Sequence, residues 1–94
     1  MNKQEYKNIL AFHPGYYIKD TIDEMELTQE EFAIRLGTTP KTISKIISGE
    51  AKLSNDIAEK LSIMLGTSID VWINLQAKYD EKIIDIEKAK FLDE

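Results

Sequence analysis

The segment between residues 39 and 52, TPKTISKIISGEAK, mixes cationic, hydroxyl-bearing and branched apolar side chains at helical spacing. On a helix of about 3.6 residues per turn, Ile43, Ile46 and Ile47 share one face and polar residues share the other. The polar face consists of Lys41, Ser44, Lys45 and Ser48, with Thr42 at its edge. Ammonium and hydroxyl groups donate hydrogen bonds to phosphates and base edges, and a major groove admits a helix. This face therefore predicts DNA binding, although lysine and serine also cover many helices that bind nothing.

The residues before this helix make the pattern more specific. Thr28 and Glu31 form a capping-box signature that begins a preceding helix. Ala33 is small enough for a second helix to cross closely above it, and Gly37 provides a tight turn between the two helices. Gln29 lies at a helix N-terminus, where its amide and the free N–H groups can hold a phosphate. Together these constraints predict a helix-turn-helix, and the competing interpretation is a helical bundle with no role in DNA binding.

Three further helices are expected around this pair. Apolar residues at three- and four-residue spacing predict helix 1 at 15–26. Ser54 and Gly66 are suited to begin and end helix 4. Helix 5 begins at Ser68, and its wide apolar face reaches Tyr79. No strand is expected, so the predicted fold is all-α.

The chain divides into three parts by pattern and charge. We expect an N-terminal extension at 1–12, a helix-turn-helix domain with a dimerising fifth helix at 13–80, and an acidic, helix-compatible tail at 81–94. The formal net charge is −5, yet residues 28–66 carry five basic and five acidic groups. A weakly basic patch inside an acidic chain is compatible with DNA, because the local field at the contact matters more than the total charge. Modest affinity per subunit is the expected consequence.

The composition excludes several functional classes. Without cysteine the chain has no disulfide, no thiolate metal site and no nucleophilic thiol. The single histidine, His13, cannot build a multi-histidine metal site, and it is better suited to capping or packing than to a pH-sensitive contact. We expect no enzymatic activity and no cofactor. Since neither a signal-peptide pattern nor a long apolar run is present, we also expect a cytoplasmic protein with no membrane partner.

Three segments of the sequence resemble one protein family. TQEEFAIRLGTTPKTISKIISGE resembles the DNA-binding unit of the phage-repressor class, also called Cro/cI or XRE. HPGYYIKDTIDEMELTQ resembles the opening of HigA-type antitoxins, and LGTSIDVWINLQAKYD resembles the segment after their fourth helix. The resemblance covers residues 13–80, and Tyr16 stands where a glutamate is usual after HPG. It implies a compact five-helix, phage-repressor-like domain with a C-terminal helical extension.

The resemblance also implies a function. Such a protein is an antitoxin that dimerises, represses its own operon at a palindromic operator, and neutralises a HigB-like, RelE-like mRNA interferase. The class places phosphate contacts at Gln29 and Thr39, and groove contacts at Lys41, Thr42, Ser44, Lys45 and Ser48. Lys52, in the loop after helix 3, is a further candidate for a phosphate contact. The alternative function is a free-standing transcriptional repressor of the XRE type, without a toxin partner.

A dimer interface is expected on helix 5. A large aromatic residue such as Trp72 fits either a core or an interface. The interface is favoured because a helix-turn-helix reader needs a partner that places two recognition helices about 34 Å apart. The residues expected there are Trp72, Ile73, Leu75, Gln76 and Tyr79. The acidic tail and the acidic N-terminal segment are equal candidates for contact with a basic toxin.

Overall fold

The computed structural model describes residues 3–93, which form one antiparallel hairpin and five α-helices. The strands are β1 Lys3–Tyr6 and β2 Ile9–Phe12, and the helices are α1 Pro14–Glu24, α2 Gln29–Leu36, α3 Pro40–Ile47, α4 Asn55–Leu65 and α5 Ile69–Asp93. The expected helical fold is confirmed. The outer ends of the two expected extensions, residues 1–2 and 94, lie outside the described residues.

The N-terminal hairpin corrects the expectation that the chain has no strands. Its register pairs Lys3 with Phe12 and Tyr6 with Ile9, and the turn residue Lys7 has a left-handed φ of 57°. A two-stranded hairpin is marginally stable by itself. Here it packs against α5, which contacts both strands. The hairpin therefore depends on a helix more than fifty residues away in the chain, and local sequence carries little signal for it.

The helix boundaries follow capping chemistry closely. The capping box is confirmed, because Thr28 Oγ1 accepts from the Glu31 N–H at 3.0 Å and Glu31 Oε1 accepts from the Thr28 N–H at 3.0 Å. The bond from the Thr28 N–H, together with the Thr28 side chain, favours the ionised carboxylate and lowers the pKa of Glu31. Helix α1 was expected at 15–26 but ends at Glu24, because Glu26 takes a left-handed φ of 55° that no helix can continue.

The core joins α1 to α4 and the first turns of α5. Its buried side chains are Ile18, Ile22, Phe32, Ala33, Leu36, Ile43, Ile46, Leu53, Ile57, Ala58, Leu61 and Trp72. Helices of eight to eleven residues, such as α1 to α4, are marginal in isolation. Their shared apolar interior therefore supplies the stability that each lacks alone.

Helix α5 is the longest element and extends beyond the core. It runs without a break through residue 80, where the sequence analysis divided the domain from the tail. Its second half buries Ile86, and its end is tied to the hairpin turn by Asp93, which accepts from the Tyr6 hydroxyl and pairs with the Lys7 ammonium at 2.8 Å. No helix within residues 3–93 combines the length and the apolar character that crossing a membrane requires.

Candidate nucleic-acid interface

A corner of three residues joins α2 to α3. Gly37 has a φ of 93°, which favours glycine, and its N–H donates to the Ala33 carbonyl at 3.0 Å. The Thr38 N–H donates to the same carbonyl at 2.9 Å, so that the end of α2 is closed. Thr39 then begins α3 by accepting the Thr42 N–H at 3.1 Å, and Pro40 is the first helical residue. The predicted helix-turn-helix corner is confirmed.

Small residues on two neighbours fix the position of α3. Ile43 and Ile46 of α3 are fully buried, and Ala33 of α2 is buried in the same cluster. The second neighbour of α3 is α1, whose Gly15 is also buried. A Cβ atom at that glycine would lie 2.1 Å from the Ile46 carbonyl oxygen and 2.8 Å from the Ile47 Cα. The N-terminus of α1 thus lies directly against the backbone of α3, a contact that the sequence analysis missed.

The polar face of α3 points away from this core. Its exposed side chains are Lys41, Ser44, Lys45 and Ser48, and Thr42 is half-buried. The Thr39 and Thr42 hydroxyls lie 2.9 Å apart, and the Ser48 hydroxyl donates to the Lys45 carbonyl at 3.1 Å. Ion pairs within residues 3–93 involve neither Lys41 nor Lys45. The face therefore presents two ammonium groups that form no ion pair with a carboxylate of the described residues.

Two predicted phosphate contacts, Gln29 and Lys52, lie outside α3. Gln29 is the first residue of α2 and is half-buried. Lys52 lies in the loop between α3 and α4, where its ammonium is 3.4 Å from an Asp80 carboxylate oxygen of α5. The structure thus gives Lys52 an acidic partner that the sequence pattern did not indicate.

The expected dimer interface needs a correction. The side chain of Trp72 is 4 % exposed within its own chain, and its Nε1–H donates to Thr67 Oγ1 at 2.9 Å. Gln76 is 8 % exposed, so neither residue has surface left for a second subunit. Leu75 packs against the same core, whereas Ile73 is 38 % exposed. The wide apolar face of helix 5 is wide because it covers the core of its own domain.

His13 caps α1, as the sequence analysis favoured. Its Nδ1 accepts from the Gly15 N–H at 3.0 Å, and the imidazole also hydrogen-bonds the Ala51 backbone in the loop after α3. Its ring packs edge-on against Tyr79 of α5, with centroids 4.9 Å apart. Burial lowers the pKa of His13, while the Ala51 contact and nearby Asp80 oppose that shift. One neutral imidazole therefore joins α1, the loop after α3, and α5.

Residues 18–72, more than half of the chain, match the family described as Helix-turn-helix. The chain belongs to this family and is a DNA-binding regulator of the XRE type.

Particular relatives sharpen the comparison. The uncharacterized HTH-type transcriptional regulator YddM of Escherichia coli K12 is 34 % identical over 84 % of this chain and 88 % of its own. A crystal structure from Nostoc punctiforme, assigned as an antidote protein of a plasmid maintenance system, has 32 % identity and a TM-score of 0.80, covering 88 % of this chain and 92 % of that one. The Pseudomonas aeruginosa antitoxin HigA, solved with the higBA promoter, has 26 % identity and a TM-score of 0.78, covering 86 % and 89 %.

Proposed function

We propose that this chain is a HigA-type antitoxin that binds operator DNA as a dimer, represses its own operon and neutralises a HigB-like mRNA interferase. The observation that carries the proposal is the exposed polar face of α3, held on a helix-turn-helix whose fold matches an antitoxin solved with its promoter. In the proposed complex, α3 enters the major groove. Lys41, Thr42, Ser44, Lys45 and Ser48 face the bases or groove walls, and Gln29, Thr39 and Lys52 contact phosphates.

A dimer is needed for two reasons. Each α3 offers only two ammonium groups, and a palindromic operator presents two half-sites about one helical turn apart. Because Trp72 and Gln76 are buried, the proposed contact between subunits uses the surface of α5 around Ile73. If the chain forms this dimer, its mass in solution should be twice that of a single chain.

The proposed toxin contact is electrostatic in origin. The flanking thirds, residues 1–27 and 67–94, carry the net negative charge of the chain, whereas residues 28–66 are neutral overall. A basic, RNA-cleaving partner and an acidic antitoxin surface attract each other, which accelerates association. The DNA-facing helix and the acidic segments are therefore proposed to serve different partners.

Replacing Lys45 with glutamate tests the DNA contact. Lys45→Glu is expected to weaken binding to the promoter DNA upstream of the gene by about tenfold or more, because it reverses one charge in the groove. The matched control is Lys88→Glu, the same change at an exposed lysine in the second half of α5. Circular-dichroism melts of both variants should stay near that of the parent chain. Equal DNA affinities for the two variants would refute the assignment of α3.

Co-purification with the product of the adjacent gene tests the toxin contact. A stable complex, together with relief of growth inhibition on co-expression, is the expected result. The second candidate is a free-standing repressor, and the resemblance to YddM, described only as a transcriptional regulator, favours it. Intact DNA binding with no partner from either neighbouring gene would decide for the repressor.

A further inference from the structure

A chain of polar contacts links α5 to the loop that follows α3. The Leu53 N–H donates to Gln76 Oε1 at 2.8 Å, in a buried bond. The other end of that amide, Gln76 Nε2, donates to Asp80 Oδ1 at 3.0 Å. The second oxygen of the same carboxylate, Asp80 Oδ2, lies 3.4 Å from the Lys52 ammonium. We call these four residues, Lys52, Leu53, Gln76 and Asp80, the loop clamp.

The loop clamp has a fixed end and a movable end. Because the Leu53 N–H occupies the amide oxygen of Gln76, the amide nitrogen must point toward Asp80. That bond orients the carboxylate on the helical scaffold of α5, one turn after Gln76. The Lys52 side chain, in contrast, is 76 % exposed and sits on a loop. The carboxylate is therefore held in place, and the ammonium is the group that can leave.

We propose that Asp80, oriented by Gln76, competes with DNA phosphate for Lys52 and thereby limits the DNA affinity of this chain. The inference rests on the proposed function, in which Lys52 contacts a phosphate. While the Lys52 ammonium is paired with Asp80, it neutralises no phosphate and therefore releases no counterion from DNA. A phosphate that approaches Lys52 is also repelled by the negative charge of Asp80. Asp80 acts through Lys52 and is a positioning residue, so that a segment outside the helix-turn-helix sets how tightly that unit holds DNA.

The size of the effect follows from the exposure of the pair. Exposed ion pairs at this distance are weak, so the competition changes affinity by about twofold to fivefold per subunit rather than by orders of magnitude. If removal of the carboxylate frees Lys52 to contact a phosphate, the slope of log affinity against log salt concentration should steepen by about 0.9 for each subunit. A purely structural role for Asp80 would not change this slope.

The test is Asp80→Asn in the full chain, titrated with a duplex that covers the promoter region upstream of the gene over a series of salt concentrations. The asparagine Oδ1 can still accept from Gln76, so the fixed end of the loop clamp is retained. Tighter binding and a steeper salt slope are expected. In a Lys52→Ala background, the same change should have no effect on either quantity. Glu81→Gln, an equal change of charge at the neighbouring exposed position, is the matched control.

Two results would overturn the inference. An unchanged salt slope in Asp80→Asn would mean that Lys52 gains no phosphate. Tightening that persists in the Lys52→Ala background, or that Glu81→Gln reproduces, would assign the effect to net charge alone. Failure of the proposed function is distinguishable from both, because the parent chain would then bind the promoter duplex no better than a scrambled duplex.

Discussion

The contact between Gly15 and α3 supports a quantitative prediction about Gly15→Ala. The added Cβ would lie 2.1 Å from the Ile46 carbonyl oxygen, so α1 and α3 must separate by about 1 Å. Backbone atoms of a helix cannot rotate away as a side chain does. Overpacking of this kind costs about 1–3 kcal/mol, while the better helix propensity of alanine returns about 0.5–1 kcal/mol. Subtracting the two ranges gives a net loss of about 0–2.5 kcal/mol, and its midpoint of about 1.25 kcal/mol corresponds to a fall in Tm of roughly 5 to 10 °C in a chain of this size.

Thermal melts followed by circular dichroism measure this loss, and Gly66→Ala is the control. Gly66 has a φ of 73°, and a Cβ there meets no heavy atom within 4 Å. Its substitution costs only backbone strain, about 1–2 kcal/mol, without moving α3. At a temperature where both variants are folded, Gly15→Ala should therefore bind promoter DNA more weakly than Gly66→Ala. An unchanged or raised Tm for Gly15→Ala would refute the reasoning, because helix propensity would then outweigh the clash.

Two further predictions concern the supports of α5 and α1. Trp72→Ala should destabilise the fold by about 3–5 kcal/mol. Trp72→Phe loses the Thr67 hydrogen bond but keeps most of the packing. This second variant should therefore stay folded, and its mass by light scattering should equal that of the parent. If the parent is a dimer and Trp72→Phe is a folded monomer, Trp72 belongs to the dimer interface after all. His13 has a pKa below its ordinary value of 6.5, so its contribution to stability is present above pH 6.5 and is lost as the pH falls toward the folded pKa. The free energy of unfolding from denaturant titrations should therefore decline below pH 6.5 in the parent. His13→Asn, which can still cap α1, should flatten that decline. Equal slopes of unfolding free energy against pH in the parent and the variant would contradict a buried neutral imidazole.

Local chemistry made the helix-turn-helix predictable. The capping box at Thr28, the αL turn at Gly37 and the cap at Thr39 all act within four residues of chain, and each is present as expected. The buried isoleucines of α3 could be predicted equally well, because their helical spacing places them on one face and the polar residues on the other. The candidate DNA-facing residues remain predictions, and the structure adds that none of them is buried.

Long-range contacts defeated the same reasoning elsewhere. The sequence pattern places Trp72 and Gln76 in a dimer interface, because an apolar helix face looks the same whether its own domain or a second subunit covers it. The hairpin was missed because its strands have four residues each and are stabilised by α5. Gly15 was part of a quoted motif, yet its closeness to Ile46 depends on how α1 crosses α3. In each case the deciding neighbour lies far away in the chain.

The sequence by itself therefore determined the five helices, the caps of α2 and α3, and the polar face of α3, since hydrogen bonds and periodicity within a few residues specify them. Only the tertiary structure decided which partner each apolar face meets, that Gly15 lies against α3, and that Lys52 has Asp80 beside it. Those facts depend on packing between segments separated by tens of residues. Close packing selects one arrangement from several that the same local patterns allow.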